Sequence, residues 1–184
     1  MRFLIIKDGI YNFDTIKDIV QPLLGNNIKT VNDGTNTIIY HNYDDEEEIR
    51  RMLAALEVEL MTNMYAYLSS DRLEDRIEDE VEIGKIIIEC VPHGIYNLKE
   101  ALIRATNLPH KEKILEFILK YTGISEEFIK GFVMSDLNVS KASKEMFIHR
   151  NTMIYKLDKL SSVSGFDLRC FRDAYILYML IENK

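Results

Sequence analysis

The sequence predicts an α+β protein: a small acidic α/β domain over residues 1–108, followed by an all-helical domain over residues 109–184. Three observations carry that expectation. Strand-like and helix-like apolar patterns alternate as far as Leu108. From Pro109 onward only the i, i+3, i+4 spacing of helices remains. The charge also changes sign along the chain. Residues 1–110 hold 11 Lys/Arg against 20 Asp/Glu, whereas residues 137–172 hold 7 against 3. The 184 residues together carry −7, so an acidic body precedes a compact basic patch.

Arg2 to Ile6 is a short β-type run. Asn12-Phe13-Asp14 then opens a helical pattern in which Ile16, Ile19, Val20, Leu23 and Leu24 share a face. Gly25-Asn26-Asn27 stops it with residues that tolerate the left-handed region. Residues 27–31 and 35–41 read as two strands joined through Val31-Asn32-Asp33-Gly34, since Asp-Gly is a strong hairpin cue. Asp44-Asp45-Glu46-Glu47-Glu48 precedes Ile49, Met52, Leu53, Leu56, Val58, Leu60 and Met61, a helix whose first turn is stacked with carboxylates. Those charges read as partners of the helix N-terminus rather than as a metal site. Residues 64–68 read as the next strand, ending at Ser69-Ser70-Asp71. Residues 72–91 read as an amphipathic helix with Ile77, Val81, Ile83, Ile86, Ile87 and Ile88 as its apolar members, ended by Pro92-His93-Gly94. An extended piece at Ile95-Tyr96 and a helix from Leu98 to about Ala105 follow. The order β-α-β-β-α-β-α fits a small α/β unit with an antiparallel or mixed sheet, ferredoxin-like being one such arrangement.

Past Pro109, Ile114, Phe117, Ile118 and Tyr121 mark one helix, stopped by Gly123. Ser125-Glu126-Glu127 caps the next, with Phe128, Ile129, Phe132 and Val133 as its buried stripe. The composition, 47% hydrophobic and 29% charged with 8 Gly and 3 Pro, excludes a disordered, collagen-like or low-complexity chain. No apolar run approaches the roughly 18 residues of a membrane span, and the start lacks a signal peptide's long apolar region. A cytoplasmic protein is expected. Cys90 and Cys170 have no CxxC or CxxH partner, so they read as reduced core thiols.

Catalysis has little foothold. There is no Gly-rich phosphate loop, no G-x-S-x-G elbow and no H-E-x-x-H. His41, His93, His110 and His149 are scattered and read as polar residues beside turns. Tyr40, Tyr43, Tyr65 and Tyr67 read as half-buried strand aromatics. The expectation is a protein that is not an enzyme, with no catalytic residues, metal ligands or cofactor.

The informative stretch runs from Asp136 to Leu160. Asn138 or Ser140 can cap a first helix, in which Ala142 and Ser143 are small enough for a close crossing. Met146, Phe147 and Ile148 are expected to plug the corner. A second helix begins at His149 or Arg150 and buries Met153, Ile154, Leu157 and Leu160. Its first turn presents Arg150, Asn151 and Thr152 outward, with Tyr155, Lys156 and Lys159 further along. That is a helix-turn-helix with a polar, basic second helix. Arg can bind a guanine edge bidentately and Asn an adenine edge, while Thr or Tyr can touch a methyl or phosphate. Lys141, Lys144, Lys156 and Lys159 would meet phosphates, which position the protein without reading sequence.

Residues 138–157, with Ser164-Gly165-Phe166-Asp167-Leu168-Arg169 and the helix Asp173 to Leu180, resemble the C-terminal helix-turn-helix of the PucR/CdaR family of bacterial transcription regulators. The family pattern is Val or Ile, His-Arg-Asn-Thr, Leu or Met, any residue, Tyr, Lys or Arg, then Leu or Ile. Here it stands as Ile148-His149-Arg150-Asn151-Thr152-Met153, with Tyr155-Lys156-Leu157. Downstream, Ser164 replaces the usual Thr of a Thr-Gly-x-Asp-Leu pattern, and Cys170-Phe171-Arg172 departs from the common Asp-Pro-Glu. Neither change touches the expected DNA face. Upstream, the order of elements from Thr35 to Leu108 is similar to the degenerate nucleotide-cyclase-like domain that often precedes this end in the family. No Gly-Gly-Asp/Glu-Glu-Phe signature is present, so cyclase activity is not implied.

The resemblance and the residues together imply a DNA-binding transcriptional regulator with double-stranded DNA as partner. The expected interface is Ser140, Lys141, Lys144, His149, Arg150, Asn151, Thr152, Tyr155, Lys156 and Lys159. A homodimer is expected, because dimers present two recognition helices about 34–36 Å apart to palindromic sites. Two other readings stay open: a protein-interaction module that kept the helical fold, in line with the −7 charge, and a sensor whose α/β domain binds an unknown small-molecule effector.

Overall fold

A computed structural model describes residues 1–7, 13–69, 76–105 and 107–182. The chain forms two compact units, Met1–Pro109 and His110–Lys184. The first contains strands β1 (Arg2–Lys7), β2 (Lys29–Asn32), β3 (Asn36–His41), β4 (Tyr65–Leu68) and β5 (Gly94–Tyr96), with helices α1 (Phe13–Leu24), α2 (Glu46–Glu59), α3 (Ile77–Ile88) and α4 (Leu98–Arg104). The expected α+β class and the order of strands and helices are found. The expected helix start at Asn12, the strand end at Ser70-Asp71 and residues 72–75 of the expected third helix lie outside the described residues. No described helix is long and apolar enough to cross a membrane.

The sheet is mixed, in the order β2-β3-β1-β4-β5. Central β1 pairs antiparallel with β3, from Arg2 opposite His41 to Lys7 opposite Asn36, and antiparallel with β4. Only β4 and β5 run parallel. Phe3, Leu4, Ile5 and Ile6 are all buried, so this strand is covered on both faces, as its unbroken apolar run requires. Leu4, Ile6, Ile39, Ala66 and Leu68 pack with Ile16, Val20 and Leu24 of α1 and Ile49, Leu53 and Leu56 of α2. Helix α3 covers the opposite face at close range: a Cβ on Gly84 would lie 2.7 Å from both Ile5 and Tyr67 side chains.

Local chemistry explains the element ends. Asp45 caps α2, its carboxylate accepting from the Glu48 N–H at 3.0 Å, and Glu46, Glu47 and Glu48 line the first turn. Asn97 and Glu100 form a reciprocal capping box on α4. The hairpin turn between β2 and β3 is tied by Asp33, whose carboxylate accepts from the N–H groups of Thr35 and Asn36 and pairs with Lys85 at 3.0 Å.

Several side chains differ from expectation. Tyr67 is fully buried rather than half-buried, its hydroxyl donating to Glu80 at 3.2 Å, and Tyr43 lies beyond the end of β3. His41 is a buried strand residue, 3% exposed. Cys90 is half-buried and Cys170 is exposed, so Cys170 is not a core thiol. It stands at the loop position just before a helix.

Candidate nucleic-acid interface

The second unit is helical throughout its described residues: α5 (Lys111–Thr122), α6 (Glu126–Met134), α7 (Val139–Glu145), α8 (Arg150–Ser164) and α9 (Phe171–Glu182). Gly123 ends α5 at φ +64° and Ser125 caps α6. Asn138 caps α7, its side-chain oxygen accepting from the N–H groups of Ser140 and Lys141 at 3.0 Å each. His149 caps α8, Nδ1 accepting from the Asn151 N–H at 3.3 Å. Gly165 closes α8 in the left-handed region, and the Ser164 hydroxyl donates to the Leu160 carbonyl while accepting from the Phe166 N–H. The hydroxyl is what this position needs, so Ser serves as well as Thr. Phe166 and Leu168 then plug into the core, and the Asp167 N–H donates to buried Asp173 at 3.0 Å.

Helices α7 and α8 form the helix-turn-helix. Ala142 is fully buried on α7, and Met153, Leu157 and Leu160 are fully buried on α8. Spacing of three and four residues puts those three on one stripe, which fixes the rotation of the helix. Gly131 of α6 admits the corner: a Cβ there would lie 2.7 Å from the Met146 sulfur. A family model described as the PucR C-terminal helix-turn-helix domain matches residues 127–182. Residues 127–182 are a PucR-type helix-turn-helix domain.

The carbohydrate diacid regulator of Escherichia coli (strain K12) is 45% identical over 60 residues, 33% of this chain and 16% of that protein. The DNA-binding transcriptional activator AdeR of Bacillus subtilis (strain 168) is 34% identical over 56 residues, 30% of this chain and 13% of that protein. The matched stretch therefore spans less than a fifth of either relative. The fold is similar to the crystal structure of a regulator of polyketide synthase expression from Bifidobacterium adolescentis, with a TM-score of 0.50 and 15% identity, covering 98% of this chain and 78% of that one.

Within the PucR-type domain nine of the ten anticipated residues divide into three groups, the tenth being the exposed cap residue His149. Arg150, Asn151 and Thr152 are all exposed on the first turn of α8, and Tyr155 is 66% exposed one turn further along the Asn151 face. Ser140, Lys141 and Lys144 are exposed on α7. Lys156 and Lys159 are part-buried and lean away from the Asn151 stripe. The Lys156 ammonium stands 5.2 Å over the Phe128 ring of α6, and the Lys159 ammonium lies 3.1 Å from where a Cβ on Gly123 would be. Both side chains therefore rest on the α5 and α6 side. Ile154, expected in the core, is only half-buried.

The basic patch is partly neutralised from within. Lys141 pairs with Asp136 at 2.7 Å, and the carboxylate's hydrogen bond raises the Lys141 pKa. Arg169 holds both Asp158 and Asp167 at 2.8 Å. Asp158 sits on the exposed face of α8, seven residues after Asn151, and its charge there was not anticipated as part of the site. Among the described residues, neither Lys144 nor Arg150 makes an ion pair. The corner also departs from expectation. Met146 and Ile148 are part-buried, but Phe147 is 96% exposed at φ +54°. A left-handed residue at this point turns its side chain out of the corner, so Phe147 plugs nothing.

Proposed function

We propose that the chain is a DNA-binding transcriptional regulator that reads a site in the major groove through α8. The carrying observation is the exposed first turn of α8, Arg150-Asn151-Thr152, with Tyr155 beside it and the rotation fixed by buried Met153, Leu157 and Leu160. Recognition helices of this motif contact base edges with their N-terminal residues. Arg150 would take a guanine edge and Asn151 an adenine edge, with Thr152 and Tyr155 at methyls or phosphates. His149 would approach the backbone at the helix end. Ser140, Lys141 and Lys144 of α7 would hold phosphates, Lys141 exchanging Asp136 for one. Lys156 and Lys159 would act as flanking phosphate contacts after leaving Phe128 and Gly123.

The PucR-type domain and the relatives that are named regulators support this reading over an enzyme. A homodimer, a small-molecule effector bound by the α/β unit and a cytoplasmic location belong to the same proposal. Selection of bound sequences from a random duplex pool tests it. An enriched site with two related halves is expected, and a pool that stays random would refute it. One observation favours a second reading, a protein-interaction module: the Asp136–Lys141 and Asp158–Arg169 pairs already occupy two of the patch's cations.

A further inference from the structure

The turn between α7 and α8 holds Phe147 in a conformation that is unfavourable twice over. Its φ is +54°, the left-handed region where a Cβ crowds the following carbonyl and where Gly or Asn sits far more easily. Its ring is 96% exposed, so it contributes nothing to the core. The left-handed turn closes α7, the Ile148 N–H donating to the Ser143 carbonyl at 3.0 Å, but the exposed ring takes no part in that closure and is open to a partner. The surroundings narrow the choice of partner. Phe147 comes two residues before the α8 cap His149 and three before Arg150, with Lys144 on the last turn of α7. Lys144 and Arg150 are exposed and, among the described residues, form no ion pair. An apolar ring framed by two available cations fits a polyanion that also offers apolar surface. Duplex DNA offers it as thymine methyls and deoxyribose faces.

We infer that Phe147 is a DNA contact whose ring packs on the apolar surface of the bound site, beside the bases facing Arg150 and Asn151. The inference rests on the DNA-binding reading above. Phe147→Gly and Phe147→Asn in the full chain test it, since both residues accept the left-handed turn. Each variant should melt at or above the wild-type temperature. Each should bind the selected duplex about tenfold more weakly, the loss that half-burial of a phenyl ring accounts for. Unchanged affinity in both variants overturns the inference, and so does a lowered melting temperature in both, which would make the ring a folding residue. Duplexes with uracil in place of thymine separate the two apolar sources. A wild-type loss on uracil that disappears in Phe147→Gly assigns the ring to a methyl. Equal losses by the variants on both duplexes assign it to deoxyribose. Asn151→Ala on the same duplexes keeps the two proposals apart. Altered base preference there with unchanged affinity in the Phe147 variants sinks this inference alone, and a wild-type chain that binds no duplex sinks both.

Discussion

Leu157→Ala removes three carbons from a side chain with no exposed surface, in the stripe that sets the rotation of α8. Transfer of those carbons to water accounts for about 2 kcal/mol. The cavity adds more, because collapse is limited: Met153 and Leu160, on either side of it along the same helix, are themselves fully buried. The expected loss is about 3 kcal/mol, which lowers the melting temperature of a helical unit of this size by roughly 12–24 °C. Lys159→Ala is the companion, since that side chain is only part-buried, with its ammonium resting near Gly123. Its loss should change stability by no more than about 0.5 kcal/mol while weakening binding to all duplexes alike. Far-ultraviolet circular dichroism melts of both variants, with urea titrations, give the comparison. Equal losses in the two, or a loss below about 1 kcal/mol for Leu157→Ala, would show that the faces of α8 are assigned wrongly.

Salt dependence should report the phosphate contacts. If Lys141, Lys144, Arg150 and one flanking lysine are neutralised per domain, log affinity should fall against log salt with a slope of about −3.6; a flat titration by fluorescence anisotropy refutes those contacts. The α/β unit should lose stability in mild acid through His41. Burial, with help from Arg2 and the N-terminus, lowers its pKa from 6.5 to about 4. The unfolded chain therefore binds a proton that the folded chain refuses. Stability should be complete above pH 6.5 and fall between pH 6.5 and 4, by about 3 kcal/mol at most. Urea midpoints across that range should show the fall, and His41→Phe should flatten it; an identical fall in the variant refutes the assignment. Asp33 acts in a different window. Burial raises its carboxyl, but the Lys85 ammonium and the Asn36 and Thr35 N–H groups outweigh that and hold it well below its ordinary value of 3.8, so its contribution is lost only under stronger acid.

Much of this architecture is written in local pattern. Asp33-Gly34 marks the hairpin, the carboxylate run at 44–48 and Ser125 mark helix starts, and Gly25, Gly123 and Gly165 stand in the left-handed region just past helix ends. The helix-turn-helix was legible because Met153, Leu157 and Leu160 recur at helical spacing and Ala142 supplies the small crossing residue. Side-chain direction was less legible. Lys156 is one residue past Tyr155, yet a helix turns about 100° per residue, and that rotation carries it onto Phe128. The corner run Met146-Phe147-Ile148 reads as uniformly apolar, and nothing in the letters marks the middle residue's positive φ. Tertiary pairing was equally hidden: Arg169 lies 11 residues from Asp158, and only the fold brings them together. Cys170 shows the limit of composition, since a residue type that is usually buried sits here on an exposed loop.

If α8 reads bases with its first turn, Asn151→Ala removes one of the two side chains that face base edges. The Asn151 side chain is exposed and His149, not Asn151, caps the helix, so folding has no need of it. Competition binding of the variant against the selected site, all single-base changes in one half-site and unrelated duplex should be measured beside its melting temperature. The variant should keep its melting temperature and its affinity for unrelated duplex, and should lose roughly 1–3 kcal/mol of preference at one position per half-site. Full retention of base preference at every position, or a fall in stability with selectivity intact, would contradict base reading by that turn.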